Sequence, residues 1–304
     1  VGGIKVQPSE FMKPVVVLTL ARFLSPEHAN PNRLKNLLIA FAIVLAPFVL
    51  VLKQPDLGTS LVYLSMVIPV LYWRGLSPFT IFVVVAPLFA FLASFNYYAF
   101  SAVILLISVV LYLSRRGKRV AWTVFVMNVF VGTLSPLVWS GLHGYQQQRI
   151  LTFLGLVEDP RGVGYQIIQS MVAIGSGGIF GKGLLHGTQT QLRFLPAQHT
   201  DFIFSVLAEE WGFIGSLAVL ALFFVFIMRA IKIAASSSYR FASLAAMGMA
   251  TIFAFQAIVN LGMTMGIMPV TGVPLPFISY GGSAMLTNMT MAALLSNAIT
   301  QRYF

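Results

Sequence analysis

Long apolar runs joined by short polar or basic connections dominate this chain. No Asp, Glu, Lys or Arg occurs from Phe241 to Gln301, and none from Gly75 to Ser114. Such runs exceed the roughly 20 apolar residues that cross a bilayer as a helix. Nine spanning segments are predicted, at about 11–24, 36–52, 57–73, 79–95, 99–114, 120–140, 202–229, 241–262 and 284–300. The first is short enough to be a half-helix, and Pro or Gly inside these segments is tolerable because neighbouring helices re-satisfy the freed backbone groups. The expected fold is an all-α polytopic membrane protein, one integral membrane domain over 1–304, with a long extracytoplasmic loop at 141–201.

Orientation follows from the connections, since cytoplasmic loops carry the Lys and Arg excess. Arg22, Arg33 and Lys35 mark one loop, Arg74 the next, then Arg115, Arg116, Lys118 and Arg119, then Arg229, Lys232 and Arg240, and finally Arg302. The alternate connections at Lys53–Asp56, Asn96–Tyr98, Gly141–Thr200 and Leu261–Ser283 then face outward. With Arg302 inside, parity places Val1 outside, so a cytoplasmic amino terminus predicts at least one further helix ahead of Val1, about ten in the whole protein. The outer stretch 141–200 is far longer than ordinary connections, which points to a functional loop. Its semi-apolar part, 164–174, is expected to lie at the interface as a helix.

Composition narrows the function classes. At 58% hydrophobic and 9% charged, against about 25% charged in soluble domains, a soluble fold is excluded. The net charge of +11 is not gathered into the aromatic-interleaved basic patch that nucleic-acid binding needs, and it reads as topology-setting charge with no nucleic-acid partner. The absence of cysteine removes disulfides, thiol nucleophiles and thiolate-held metals. No His pair at metal-ligand spacing and no Gly-x-Ser-x-Gly elbow occurs.

The acids are Glu10, Glu27, Asp56, Glu158, Asp159, Asp201, Glu209 and Glu210. An acid at membrane depth is expensive and therefore a functional candidate. Glu27 falls on the cytoplasmic side, and Glu158 and Asp159 read as solvated loop charges. Asp201 stands where the outer loop becomes a helix, and reads either as an acid stabilised by a helix start or as a general base at the membrane surface. Glu10 and Lys13 lie three residues apart on one helix face, either as an i,i+3 pair worth about 0.3 kcal/mol or as part of a site. Asp56 reads as an N-cap. Glu209 and Glu210 lie two turns into their helix, where a helix–helix hydrogen bond and catalysis are equal readings. His199 reads equally as a phosphate ligand or an interfacial histidine. The stretch Gly181-Lys-Gly-Leu-Leu-His-Gly-Thr188 lacks the spacing of a nucleotide-binding loop.

The stretches Gln7-Pro-Ser-Glu10, Gln54-Pro-Asp-Leu-Gly-Thr-Ser60, Gly164-Tyr-Gln-Ile-Ile-Gln-Ser170, Ala173-Ile-Gly-Ser-Gly-Gly178, His199-Thr-Asp-Phe-Ile-Phe204 with Ala208-Glu-Glu210, and Gly272-Val-Pro-Leu-Pro-Phe-Ile-Ser-Tyr-Gly-Gly-Ser283 resemble, in order, the SEDS family of shape, elongation, division and sporulation proteins. The run Gly181–Gln191 is similar to the elongation-type members. In one departure the interval from Gln54 to Gly164 is longer than the family pattern, as though the hairpin from about 97 to 140 were additional.

The resemblance implies a peptidoglycan glycosyltransferase that polymerises lipid II at the outer side of the bacterial cytoplasmic membrane, in cell-wall elongation, with a class B penicillin-binding protein as partner. It places the family's essential acid on Asp201, with Glu10 and Lys13 beside it. The leaving group is a lipid pyrophosphate, so the chemistry needs mainly one base for the acceptor hydroxyl and groups to hold the phosphates. An α-linked donor that gives a β-1,4 linkage implies a single inverting displacement. Substrate contacts are expected from His199, Thr200, Lys53, Lys182, Arg193, Ser279 and Ser283, with Lys13 and Arg149 as further cations, or from a loosely held divalent cation, Mg or Mn, near Asp201. No tightly bound cofactor is expected. A lipid II flippase and a non-catalytic scaffold of a cell-wall synthase are the competing readings, although no inverted repeat of the transporter kind is visible.

Overall fold

A computed structural model describes residues 6–114, 117–141, 163–191 and 197–300, with single positions 144, 147, 151 and 194. A helix occupies each of the nine predicted segments: α1 (Pro8–Leu24), α2 (Leu34–Leu52), α3 (Leu57–Trp73), α4 (Pro78–Ala93), α5 (Tyr97–Leu113), α6 (Lys118–Thr133) continued by α7 (Ser135–Gly141), α10 (Ile203–Ser236), α11 (Arg240–Thr264) and α12 (Gly282–Thr300). Between α7 and α10 lie α8 (Val163–Ser176), where the interfacial helix is expected, and a single turn, α9 (Thr188–Gln191). No strand occurs among the described residues.

Among the described residues α2, α10 and α11 are each long and apolar enough to cross a membrane, and α6 with α7, bent by 41°, counts as a fourth when the pair is taken as one span. Helices α3, α4 and α5 are shorter and equally apolar. The protein is an all-helical, multi-pass membrane protein.

The chain forms two compact units, 75–148 and the remainder. In the smaller, Ala86, Ile107, Leu111 and Val124 pack together, while Leu88, Phe89, Leu105 and Leu106 remain outward. Asn96 caps α5 through its side-chain oxygen. The bend between α6 and α7 falls beside Pro136, whose ring removes a backbone donor. The hairpin read as additional lies within this unit.

In the larger unit α11 packs against α1, α3, α8, α10 and α12. Small buried residues along it, Ala242, Ala245, Ala246, Ala250 and Ala257, let neighbouring backbones approach. This is how helices associate where lipid removes the hydrophobic advantage of burial. At the end carrying Arg22, Arg33 and Arg240, the Arg74 guanidinium donates to the carbonyls of Leu24 at 2.8 Å and Pro26 at 3.1 Å. It thereby satisfies carbonyls left open where α1 ends. Trp73 donates to Ser243, and Ser243 to the Ala234 carbonyl.

Helix α10 is broken at Gly212, which has φ 68° and ψ −164°. Segment 178–183 inserts at the break. Lys182 N donates to Glu209 O at 3.0 Å and Gly183 N to Glu210 O at 3.0 Å; Phe213 N donates to Gly178 O at 2.9 Å and Ile214 N to Ile179 O at 3.2 Å. The strap supplies the partners that a broken helix loses, as membrane burial requires. Lys182 Nζ then reaches the fully buried Glu209 carboxylate at 2.7 Å, and also bonds Ser176 and Thr188. Glu209 also accepts from Ser176 Oγ at the end of α8 at 3.4 Å and from Thr188 Oγ1 of α9 at 3.2 Å, so the expected helix–helix hydrogen bond is joined by a loop lysine.

A Cβ on Gly212 would overlap the Gly181 nitrogen, in a backbone region essentially restricted to Gly. Gly212→Ala is expected to cost about 3 kcal/mol or more and to lower the melting temperature in detergent. Gly175→Ala, with no heavy atom within 4 Å of its Cβ position, should melt like the parent or slightly higher.

Candidate active site

Four helices begin around one cavity. Pro8, pre-set for a first helical position, opens α1; Asp56 caps α3; the turn at 197–202 leads into α10; Gly282 opens α12. The cavity has a volume of about 710 Å³ and is lined by Gln7, Glu10, Asp56, Thr59, Thr200, Asp201, Gly272, Pro274 and Tyr280 to Ala284. First-turn amides lack intrahelical acceptors, and the dipoles of the four helices add positive potential there. Three carboxylates, from Glu10, Asp56 and Asp201, therefore face a surface that also favours anions.

Glu10 and Lys13 form more than the surface pair their spacing suggests. Lys13 Nζ lies 2.7 Å from both Glu10 oxygens, and the side chains are 1% and 4% exposed respectively. Below them Tyr63 donates its hydroxyl to the Ser9 carbonyl. Lys13 does not line the cavity; it neutralises Glu10 from behind. Removing one partner of a buried pair strands the other charge at a cost of about 3–5 kcal/mol, an order of magnitude above an exposed helix pair.

Asp56 caps α3 as expected, accepting from Thr59 N at 2.9 Å. Its second oxygen accepts from Gln7 Nε2 at 3.2 Å, so the cap is also a cavity carboxylate. A side chain on Gly58 would strike the Thr271 carbonyl; glycine here lets the start of α3 lie directly against the loop leading to Gly272.

Asp201 is placed by what surrounds it in sequence. Phe202 is buried against Met263 and Val270, and Phe204 joins the cluster of Phe223, Leu261 and Leu275. The Thr200 and Phe202 amides both donate to the Ala197 carbonyl, at 3.1 and 3.3 Å. With both phenylalanines anchored in the bundle, Asp201 is left on the cavity wall.

The next three carbonyls are each bonded from elsewhere. His199 O accepts from Tyr280 N at 2.8 Å, Thr200 O from Ser279 Oγ at 2.6 Å, and Asp201 O from Asn260 Nδ2 at 2.9 Å. Loop 272–280 is itself held by a stacked Phe253–Phe277 pair, with centroids 5.4 Å apart.

Of the expected substrate contacts, Thr200 and Ser283 line the cavity, with Ser283 Oγ accepting from Gln7 N at 3.0 Å. Ser279 is tied to Thr200 O and to Leu275 N and is not in the lining. His199 and Lys53 are exposed outside it, and Lys182 sits at the strap. Arg149 and Arg193, like Glu158 and Asp159, lie outside the described residues. Asn260 and Tyr280 were not singled out by the sequence. The available signal was a side-chain amide deep in an uncharged helix, where polar groups find partners across helices.

The family model for the cell cycle proteins FtsW, RodA and SpoVE matches residues 1–120 and 97–303. This chain belongs to that family. Among its relatives, the peptidoglycan glycosyltransferase MrdB of Escherichia coli K12 is 41% identical, the match covering 99% of this chain and 70% of MrdB. The peptidoglycan glycosyltransferase RodA of Treponema pallidum is 38% identical, over 97% of this chain and 75% of RodA. A chain of a solved peptidoglycan synthase complex, described as coordinating polymerization and crosslinking, superposes with a TM-score of 0.70 at 31% identity, covering 100% of this chain and 72% of that one. The six motifs thus identify an FtsW/RodA/SpoVE member, and the elongation-type likeness at Gly181–Gln191 agrees with the two relatives.

The buried pair generates a double-mutant test. Glu10→Gln and Lys13→Met should each destabilise by about 3–5 kcal/mol, and the double variant by clearly less than their sum. Melting of the four proteins in one detergent reads the coupling, and additive losses would contradict a buried, mutually dependent pair.

Proposed function

We propose that this chain is a peptidoglycan glycosyltransferase that polymerises lipid II by a single inverting displacement, with Asp201 as general base. The carrying observation is the cavity at one end of the bundle, where Asp201 shares the wall with two further carboxylates and four helix starts. The names of the relatives agree. The acceptor hydroxyl oxygen attacks the donor's anomeric carbon, the bond from that carbon to the lipid pyrophosphate breaks, and the hydroxyl proton passes to Asp201. The pyrophosphate leaves without protonation, so one carboxylate suffices for the proton.

The phosphates would lie at the opening of α12, where the amides of Gly282, Ser283 and Ala284 have no intrahelical acceptors and the dipole favours anions. Glu10, charge-compensated by Lys13, offers acceptor oxygens for a sugar hydroxyl. A protein-held divalent cation does not fit well: Glu10 is bound to Lys13, Asp56 caps α3, and no cluster of three or more His, Asp or Glu able to hold a metal occurs among the described residues. Any Mg or Mn would be held largely by substrate phosphates, and no step is assigned to it.

The site is assigned to the extracytoplasmic side of the bacterial cytoplasmic membrane. In the larger unit Arg22, Arg33, Lys35, Arg74, Arg229, Lys232 and Arg240 lie in or near the helix ends and connections away from the cavity, as the positive-inside tendency requires. The class B penicillin-binding protein is proposed as partner because a similar chain is part of a complex that couples polymerization to crosslinking.

Orientation is tested in this cysteine-free chain with single cysteines and an impermeant maleimide on intact cells. Lys53→Cys should label, and Lys35→Cys only after permeabilisation; the reverse pattern overturns the assignment. The activity is tested with labelled lipid II, full-length protein and partner. Asp201→Asn should lose about 10²-fold or more of polymerisation while melting like wild type. Normal polymerisation by Asp201→Asn would remove the base assignment, and absence of polymer from wild type would turn the reading toward transport or scaffolding.

A further inference from the structure

We infer that Asn260 is a positioning residue for Asp201, a role that rests on the glycosyltransferase reading. Asn260 is fully buried in the last turns of α11, and its single amide nitrogen donates twice, to Asp201 O at 2.9 Å and to Val273 O at 2.8 Å. A carboxamide has two N–H donors in a fixed fork, so one planar group sets the distance between the entrance of α10 and loop 272–280. Among the described residues the side-chain oxygen has no hydrogen-bond partner, so the contacts that tie this residue to α10 and the loop are made by donation.

Both acceptors need it. Val273 precedes Pro274, so the peptide joining them has no N–H, and Val273 is buried. A buried carbonyl needs a donor, and the one described for Val273 is Asn260 Nδ2. The Asp201 carbonyl completes the row of three in which His199 and Thr200 are already held by Tyr280 N and Ser279 Oγ. Without Asn260 the row is open at the one residue that carries the base, and the Asp201–Phe202 peptide loses the shorter of the two bonds described on it, keeping the 3.3 Å bond from Phe202 N to the Ala197 carbonyl, so its plane is more easily turned. That rotation moves the carboxylate relative to the cavity wall opposite, where Gly272 lies with its absent Cβ 3.7 Å from Asp201 Oδ2. Asn260 itself does not line the cavity, so it acts on the substrate only through Asp201 and the loop.

The inference requires turnover to respond more than binding, because a displaced base weakens interactions made in the transition state. Full-length Asn260→Ala, Asn260→Asp and Ser243→Ala are compared with the partner present. Ser243→Ala removes the Trp73 and Ala234 bonds in the connection between α10 and α11, away from the cavity, and controls for general destabilisation.

Asn260→Ala should lower kcat about 10- to 100-fold with KM within about twofold of wild type. Asn260→Asp, which replaces both donors with an acceptor facing two carbonyls, should be no better. Hydrogen exchange should quicken at residues 198–204 and 271–281 in both Asn260 variants. Ser243→Ala should melt lower with kcat intact. Wild-type turnover in Asn260→Ala, or an equal fall in kcat in Ser243→Ala at matched melting loss, overturns the inference. If wild type makes no polymer, the glycosyltransferase reading fails by itself; unchanged exchange in both segments of Asn260→Ala then still refutes positioning.

Discussion

A polar group enclosed by a helix bundle in lipid has no water to turn to, so each carbonyl, amide and carboxylate must find its partner within the protein. The described architecture meets that constraint at three places where helical regularity fails. At Gly212 the helix breaks and a strap provides two donors and two acceptors. At the end of α1 a guanidinium supplies donors to carbonyls that the terminating helix leaves open. At the cavity rim, three successive carbonyls receive donors from Asn260, Ser279 and the Tyr280 amide. Satisfaction of buried polarity and rigidity of the rim are thus the same set of bonds.

Charge is managed by a different device on each side of the cavity. Glu10 is buried and would be intolerable alone, so Lys13 binds both of its oxygens from the interior. Asp56 is held at a helix start, with a backbone amide on one oxygen and a side-chain amide on the other. Asp201 stands ahead of a helix start and directly before two anchored phenylalanines, Phe202 and Phe204, on the wall rather than in the core. The same helix starts that tolerate carboxylates also favour phosphate oxygens. The proposed reaction, which needs a base and a pyrophosphate site in one cavity, gains from this, since neutral amides attract phosphates without a lysine that would pair with the base.

The strap and the rim act on one helix from two directions. Lys182 binds Glu209 on α10, two turns beyond the Asp201 turn, and Ser170 of α8 bonds both Ser205 of α10 and the Thr264 carbonyl of α11. The first two turns of α10 are therefore held by the outer loop, through Lys182 at Glu209 and Ser170 at Ser205, and α10 also packs against α11. Lys182, expected to meet substrate, lies instead against Glu209 on the helix that follows Asp201.

Local pattern decided the number, type and approximate limits of the helices, because a bilayer demands long apolar runs and punishes charge within them. It also decided that Asp56 is a cap and that Glu10 and Lys13 share a helix face, both consequences of spacing along one helix. The motifs identified the family, and they singled out Asp201, which the structure places on the cavity wall. Tertiary structure alone decided that the Glu10–Lys13 pair is buried, that Ser279 is tied to backbone, that Gly212 breaks its helix, and that Asn260 bonds a residue 59 positions away. An isolated glycine in an apolar run and an amide in an uncharged helix look alike whether or not another segment meets them. Periodicity records which way a side chain faces along its own helix, whereas the identity of its partner depends on how distant segments pack.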